Sequence, residues 1–315
     1  MTRAKAHANI ALMKYWGKAD ETLALPYTSS VSLTLDALYT VTEVQADPSL
    51  SNDRFILNGE LQSEAETAKI SRFIDLFQAE RPRLQIESRN SFPTASGLAS
   101  SASGYAALAT ALNAELGLNL DKQALSRLTR RGSGSASRSL YGGLAVWQTG
   151  DDQSSYAYPL EEELDLEMLI VIVDAGPKPR SSRSLMKQTV EESAYFPAWV
   201  EESAREFPRM LAAIRQHDIP TIGRLAERNA MMMHGTLLAN REPFFYFQPQ
   251  TLEVLQLVQD CRAAGHTAYY TMDAGPNVKI LTDSVSRDTI LQTLRERFPT
   301  LEIIAARSGP EASVL

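Results

Sequence analysis

The chain has 315 residues, 44% of them hydrophobic and 22% charged, which is long enough for about two domains with a sizeable core. Its formal net charge of −7 argues against non-specific binding to nucleic acid or to an anionic membrane, because both need a positive field. No stretch approaches the roughly 18 consecutive apolar residues of a membrane span. We therefore predict a globular protein that binds neither nucleic acid nor a membrane.

The N-terminal segment lacks the features of an export signal, because Lys14 and Lys18 interrupt its apolar residues. The single cysteine, Cys261, cannot form an internal disulfide, as is typical of a protein in a reducing compartment. Both features favour a cytoplasmic location. Cys261 lies in a helical pattern, where a small buried side chain is a simpler interpretation than a reactive thiol.

The first half of the chain alternates strand-like and helix-like segments. Alternating apolar residues predict strands at SVSLTLDALYTVTEVQA and RFILNG, a helix over residues 64–79 and a strand at RLQIES. A Pro/Gly/Ser loop then leads into an Ala- and Leu-rich helix that Gly117 can end. Another helix, DKQALSRLTRR, precedes a second small-residue loop, GSGSASRS, and a strand, GLAVWQT.

The sequence pattern changes near Pro177, from alternating strands and helices to a mostly helical segment. A buried strand is predicted at LEMLIVIVDAG, and residues 181–265 have a mostly helical pattern. Strands at HTAYYTMD, NVKILT and LEIIAA follow, with a helix over residues 288–298 between the last two. The sequence therefore predicts two domains that mix helices and strands, divided between residues 178 and 179.

The sharpest local feature is residues 93–104, PTASGLASSASG. Small side chains at the start of a helix leave backbone N–H groups and the helix dipole accessible to a phosphate. The hydroxyls of Ser100 and Ser101 can also coordinate a magnesium ion that bridges phosphates. No Gly-Lys-Ser/Thr closes the segment, so it is not a Walker loop. A Ser-rich loop that merely caps a helix is the alternative.

The same segment resembles the second motif of the GHMP kinases, Pro-x-x-x-Gly-Leu-x-Ser-Ser. Three further segments narrow the resemblance to the mevalonate diphosphate decarboxylases, and they are residues 8–18 (ANIALMKYWGK), 132–139 (GSGSASRS) and 272–279 (MDAGPNVK). Their order and separations are similar to those of the family, and the resemblance covers essentially the whole chain. Met13 and Ser96 differ from the residues usual there, but neither removes a charge or a donor.

The resemblance implies an α+β, two-domain GHMP kinase fold. Residues 1–178 would form a domain like the second domain of ribosomal protein S5, and residues 179–315 a ferredoxin-like domain, with the active site between them. It also implies ATP and Mg²⁺ as cofactors and a homodimer. The implied reaction converts mevalonate 5-diphosphate into isopentenyl diphosphate, ADP, phosphate and CO2. Phosphorylation of the 3-hydroxyl creates a leaving group that accepts the electrons released with CO2. The reaction therefore needs no cofactor that acts as an electron acceptor.

Three residues are candidates for catalysis. Asp273 follows the strand AYYTMD, where a carboxylate can be held rigidly, and the resemblance makes it the base, although a turn-capping aspartate is the alternative. Arg138 can offer a planar fork to a carboxylate or phosphate, and the resemblance implies that it orients the substrate. Lys14 is the third candidate, although a lysine on a strand is usually only solvated.

The resemblance also implies two sets of binding residues. The substrate set is Tyr15, Trp16, Lys18, Ser133, Gly134, Ser135, Arg138, Ser182, Arg183 and Met186. The nucleotide set is Pro93, Gly97, Leu98, Ala99, Ser100, Ser101, Ser103 and Lys178. Ser88 and Asn90 are further candidates, not implied by the resemblance, for contact with the base of ATP. From the residues alone, GSGSASRS is equally a flexible linker, and the basic segment at residues 178–183 a solvated hinge.

Two other functions remain open. A related GHMP kinase or decarboxylase would act on mevalonate or mevalonate 5-phosphate, but Tyr15, Lys18 and Arg183 favour a diphosphate pocket. A non-catalytic GHMP sensor would bind the same ligands without turnover. Such proteins usually lose a catalytic residue, whereas Asp273 is present.

Overall fold

The computed structural model describes residues 1–92, 100–176 and 180–315. Five of the predicted nucleotide-binding residues therefore lie outside the described residues, and they are Pro93, Gly97, Leu98, Ala99 and Lys178. Within the described residues, two main β-sheets are packed against helices.

Two long antiparallel strands, β1 (Thr2–Met13) and β4 (Ser30–Ala46), form the centre of the first sheet. A short hairpin, β2 (Lys18–Asp20) and β3 (Leu25–Pro26), lies between them in the chain. The first sheet also contains β5 (Arg54–Leu57), β6 (Glu60–Leu61), β7 (Leu84–Asn90), β8 (Leu144–Trp147), β9 (Ala157–Pro159) and β14 (Ser313–Val314). Its order is β14-β1-β4-β7-β5-β6, with β8 joining β4 to β9. The sheet is antiparallel, except that β5 runs parallel to β7.

Helices cover one face of this sheet. They are α1 (Glu64–Ile74), α2 (Ser100–Glu115), α3 (Lys122–Gly132) and a 3-10 helix (Gly134–Leu140). The alanines of α2 are buried, and they let that helix pack directly on β1 and β4. The helix α1 ends at Ile74, earlier than predicted. The small-residue segment GSGSASRS continues from the end of α3 into the 3-10 helix, most of which is buried, so it is not a flexible linker.

The second sheet has the order β11-β12-β10-β13, and all its pairings are antiparallel. Its strands are β10 (Glu167–Ile172), β11 (Tyr269–Met272), β12 (Val278–Thr282) and β13 (Glu302–Ala306). Alternate residues of β10 pack towards α5 (Phe196–Arg215) and α6 (Ile219–Leu238), and the others towards α7 (Pro249–Ala263) and α8 (Arg287–Arg297). This two-sided burial explains the continuous apolar run in β10.

The two sheets share a core. Ile10 and Leu33 of the first sheet belong to the same buried cluster as Met168 and Ile170 of the second. The helix α4 (Ser182–Glu192) packs through Leu185 at this junction. Since β10 already belongs to the second sheet, that sheet begins before residue 178, and the division at residues 178 and 179 stays a prediction.

None of the helices that the structure describes combines the length and the apolar content that a bilayer crossing requires.

A buried ion pair ties the outer strands of the first sheet to α1. Arg81 donates from Nη1 to Oδ1 of Asp53 at 2.8 Å and from Nη2 to Oδ2 at 2.7 Å. The same carboxylate accepts from the Ser71 hydroxyl and from the backbone N–H of Leu84. Because each side chain of the pair is 1% exposed, neither charge can be solvated if the other is lost.

We predict that Arg81→Met lowers the free energy of unfolding by about 3–5 kcal/mol, because it leaves the Asp53 carboxylate buried without its partner. Urea denaturation measures this change. Arg89→Met is the matched control, since the Arg89–Glu87 pair is exposed and its loss should cost less than about 1 kcal/mol. Equal effects of the two substitutions would contradict the prediction.

Candidate active site

A cleft of about 260 Å³ opens where β1, the 3-10 helix, α4 and the turn after β11 meet. Every residue predicted to contact the substrate lines it, and these are Tyr15, Trp16, Lys18, Ser133, Gly134, Ser135, Arg138, Ser182, Arg183 and Met186. The other two catalytic candidates, Lys14 and Asp273, line it as well. The fold therefore brings together residues that lie far apart in the sequence.

Asp273 lies directly after β11, and it is the one carboxylate among the described residues that line the cleft. Lys14 Nζ donates to Asp273 Oδ1 at 2.7 Å. Lys279 Nζ, on β12, lies 3.4 Å from Asp273 Oδ2. The carboxylate is thus held between two ammonium groups, one beside each oxygen.

Lys14 is buried, with 2% of the residue exposed, so it is not a solvated strand lysine. Its Nζ also donates to the carbonyl oxygen of Ala11 at 2.8 Å, and its backbone N–H donates to Asn229 Oδ1 at 2.7 Å. Burial lowers the pKa of Lys14 to about 8, although the Asp273 carboxylate acts in the opposite direction. At neutral pH Lys14 therefore carries a positive charge that it loses more readily than a solvated lysine does.

Arg138 lies in the 3-10 helix and is held from the sheet side. Its Nε donates to Ser32 Oγ at 3.0 Å and to Asn9 Oδ1 at 3.3 Å, and its Nη1 donates to Ser30 Oγ. Burial lowers the pKa of Arg138 to about 10, still above neutral pH. A fixed guanidinium at the cleft can bind a carboxylate or phosphate in one orientation.

The serines of the second small-residue segment lie close to the first turn of α2. Ser133 Oγ is 3.3 Å from Ser135 Oγ and donates to Ser101 Oγ at the same distance. Ser101 therefore lies at the cleft, where its hydroxyl is the kind of hard oxygen donor that suits Mg²⁺.

The helix α4 directs its N-terminus at the same cleft. Ser181 caps it by accepting the backbone N–H of Ser184 at 3.1 Å, and Ser182 and Arg183 form its first turn. Arg183 Nη2 reaches the carbonyl oxygen of Gly132 at 3.5 Å. A helix N-terminus beside an arginine is a favourable place for a phosphate.

An adjoining depression of about 250 Å³ extends this basic surface. It is lined by Lys69, Arg72, Arg131 and Arg183, and it shares Tyr105 and Gly132 with the cleft. Sequence reasoning missed the first three cations, because charges on helices such as α1 and α3 usually lie on solvated faces.

Sequence reasoning also missed Lys279, Asn9 and Asn229. Each is a buried polar residue next to apolar neighbours, at positions where the regular pattern predicts a hydrophobic side chain. A polar residue that interrupts an apolar run was the sequence signal that could have identified these three residues.

Four predicted nucleotide-binding residues do not line the cleft. Ser88 Oγ lies 2.9 Å from Thr42 Oγ1. Thr40 Oγ1 donates to Asn90 Oδ1 at 2.7 Å and lies 2.8 Å from Ser103 Oγ, so Asn90 at the end of β7 and Ser103 on the buried face of α2 both contact the sheet. Ser100 begins α2 without lining the cleft.

Two family models match the chain. The diphosphomevalonate decarboxylase-like N-terminal domain matches residues 6–157, and the mevalonate 5-diphosphate decarboxylase C-terminal domain matches residues 168–312. A diphosphomevalonate decarboxylase of Candida albicans is 36% identical over 315 residues, covering 93% of this chain and 87% of that protein. The chain belongs to the diphosphomevalonate decarboxylase family.

Solved structures agree with this assignment. The complex of MDDEF with MVAPP, AMPPCP and magnesium is 45% identical, with a TM-score of 0.95 over 100% of this chain and 98% of that one. The mevalonate diphosphate decarboxylase of Staphylococcus aureus is 42% identical, with a TM-score of 0.96 over 100% of this chain and 97% of that one. The predicted two-domain α+β GHMP fold is therefore confirmed, and the chain is an enzyme of this decarboxylase family.

We predict that Gly134→Ala impairs this enzyme. A Cβ at Gly134 would lie 2.7 Å from the Trp147 ring and 2.8 Å from the Tyr15 ring, so the 3-10 helix must shift away from the cleft. Because Ser135 and Arg138 shift with it, we expect KM for the substrate to rise about 10-fold or more. Steady-state kinetics measure this change.

Gly235→Ala is the matched control, since a Cβ there meets no atom within 4 Å and the position lies inside α6. It should leave KM unchanged. An unchanged KM in Gly134→Ala would mean that the close packing at Trp147 does not position the site.

Proposed function

We propose that Asp273, held between Lys14 and Lys279, is the base in the reaction of this enzyme, which is the ATP-dependent decarboxylation of mevalonate 5-diphosphate in the mevalonate pathway. The observation that carries the proposal is a single carboxylate paired with buried ammonium groups at the edge of a cation-lined cleft. An ionised carboxylate within reach of a substrate hydroxyl can act as a general base.

In the proposed first step, the Asp273 carboxylate takes the proton of the 3-hydroxyl. The hydroxyl oxygen forms a bond to the γ-phosphorus of ATP, and the bond from that phosphorus to ADP breaks. The new phosphate then leaves C3 with its bonding electrons. The bond to the carboxylate carbon breaks, CO2 departs, and that electron pair forms the double bond of isopentenyl diphosphate.

The cations of the cleft match the anionic groups of this substrate. In the proposal, Arg138, fixed by the sheet hydroxyls, orients the substrate carboxylate. The diphosphate is bound by Lys18, Ser182 and Arg183, together with the backbone at Ser133–Ser135, all of which line the cleft. Basic residues of the adjoining depression extend the region of positive electrostatic potential. The charges of the site thus suit a diphosphate better than the neutral alcohol end of mevalonate.

We propose that ATP and Mg²⁺ are the cofactors. A relative's structure holds AMPPCP and magnesium, and the Ser101 hydroxyl at the cleft is a suitable magnesium ligand, with Ser100 beside it. When bound, the ion neutralises phosphate charge and favours attack at the γ-phosphorus. The segment predicted to bind the ATP phosphates includes residues 93–99, which lie outside the described residues.

We also propose that the enzyme is a cytoplasmic homodimer. The single buried cysteine, Cys261, supports a reducing compartment. Sedimentation analysis of the purified chain would test the dimer.

We predict that Asp273→Asn lowers kcat by at least ~100-fold, because the amide cannot accept the hydroxyl proton. Binding of an ATP analogue should be retained, since the substitution conserves shape. The measurement is coupled ADP release with mevalonate 5-diphosphate, alongside calorimetric titration of the analogue. Near-normal turnover in the variant would mean that another group is the base.

The same assay separates the competing functions when mevalonate, mevalonate 5-phosphate and mevalonate 5-diphosphate are compared. We expect ADP, phosphate and CO2 in equal amounts from the diphosphate alone. A phosphorylated product without CO2 would indicate a kinase, and ligand binding without ADP release would indicate a sensor.

A further inference from the structure

Lys279 is the most deeply buried charged group beside the catalytic candidates, and none of its surface is exposed. It lies on β12, where every residue is buried. Its Nζ is 3.4 Å from Asp273 Oδ2 and donates to the carbonyl oxygen of Asn277 at 3.2 Å. Burying an ammonium group is costly unless an opposite charge and hydrogen bonds compensate, so a lysine in this strand requires an explanation.

Other charged groups from the surrounding elements set its environment. Lys14, directly after β1, pairs with the other oxygen of Asp273, and Arg138 of the 3-10 helix interacts with the same carboxylate. On α6, His234 is buried, and burial together with the nearby Lys14 lowers its pKa to about 3, so its ring is neutral at pH 7. Asp273 is therefore one negative charge among three positive ones.

We propose that Lys279 is a positioning residue that keeps the Asp273 carboxylate ionised and oriented towards the substrate. This inference rests on the role proposed above for Asp273. Lys14 lies beside Oδ1 and Lys279 beside Oδ2, and a cation at each oxygen orients the plane of the carboxylate. A carboxylate oxygen has two lone-pair sites, so an oxygen paired with an ammonium group can still accept a substrate proton.

Lys279 also acts on Lys14. The two ammonium groups flank the same carboxylate and repel each other electrostatically. This repulsion contributes to the lowered pKa of Lys14. Removal of the Lys279 charge should therefore have two effects. The carboxylate becomes easier to protonate, and Lys14 holds its proton to a higher pH.

The test is the pH dependence of kcat/KM from about pH 3 to about pH 10, a range that spans the ordinary pKa of an aspartate and the lowered pKa of Lys14. The acid limb of the profile reports protonation of Asp273, and the alkaline limb reports deprotonation of Lys14. In Lys279→Met we expect the midpoints of both limbs to shift to higher pH by about 1 unit. The rate on the acid side then falls about 10-fold relative to the unmodified enzyme. Lys279→Gln should shift both limbs in the same way, because it retains a donor for the Asn277 carbonyl but removes the charge.

Lys122→Met is the matched control, because Lys122 is partly exposed and pairs with Glu311 away from the cleft. Its profile should coincide with that of the unmodified enzyme. Substrate phosphates titrate identically with every variant, so differences between profiles report protein groups.

Loss of stability with unmoved limbs in both Lys279→Met and Lys279→Gln would overturn the inference, because it would make Lys279 a structural residue. Asp273→Asn separates this failure from that of the proposed function. If Asp273→Asn abolishes turnover while the limbs stay unmoved, the Lys279 inference alone is wrong. If Asp273→Asn turns over normally, the role of Asp273 itself is wrong.

Discussion

The site depends on the pairing of one carboxylate with two buried ammonium groups. Both ammonium groups are buried and the Asp273 side chain is 26% exposed, so water screens these three charges less than it would at the surface. In the proposed mechanism, the pairing keeps the base ionised in a cleft whose cations also attract a polyanion. It also links the two sheets, since Lys14 directly follows β1 of the first sheet and Lys279 lies on β12 of the second.

The fold supplies the rigidity that this pairing needs. A common core joins the two sheets, and α6 packs on both β1 and β11. On α6, Asn229 accepts the backbone N–H of Lys14 and donates to the Ser203 hydroxyl at 3.0 Å, which fixes the end of β1. On another side of the cleft, the 3-10 helix packs closely against α2 and carries Arg138 into the site. Side chains from distant parts of the chain therefore meet with little freedom.

The sequence predicted most elements, both sheets and the family, because apolar periodicity and four motifs indicate them directly. It also predicted that Arg138 and Asp273 act together, although only through resemblance. Lys279 and Arg72 were missed, because local patterns do not tell a buried lysine from a solvated one, or a cation that faces a cleft from one that faces water. Their environment depends on strand pairing and helix packing across long separations in sequence.

The most direct test of the central claim is a crystal structure of this chain with mevalonate 5-diphosphate and AMPPCP. We predict an Asp273 oxygen within about 2.6–3.2 Å of the substrate 3-hydroxyl, while Lys14 Nζ remains beside the carboxylate. An Asp273 carboxylate turned away from the hydroxyl, with another side chain in that position after the site has closed, would contradict the account.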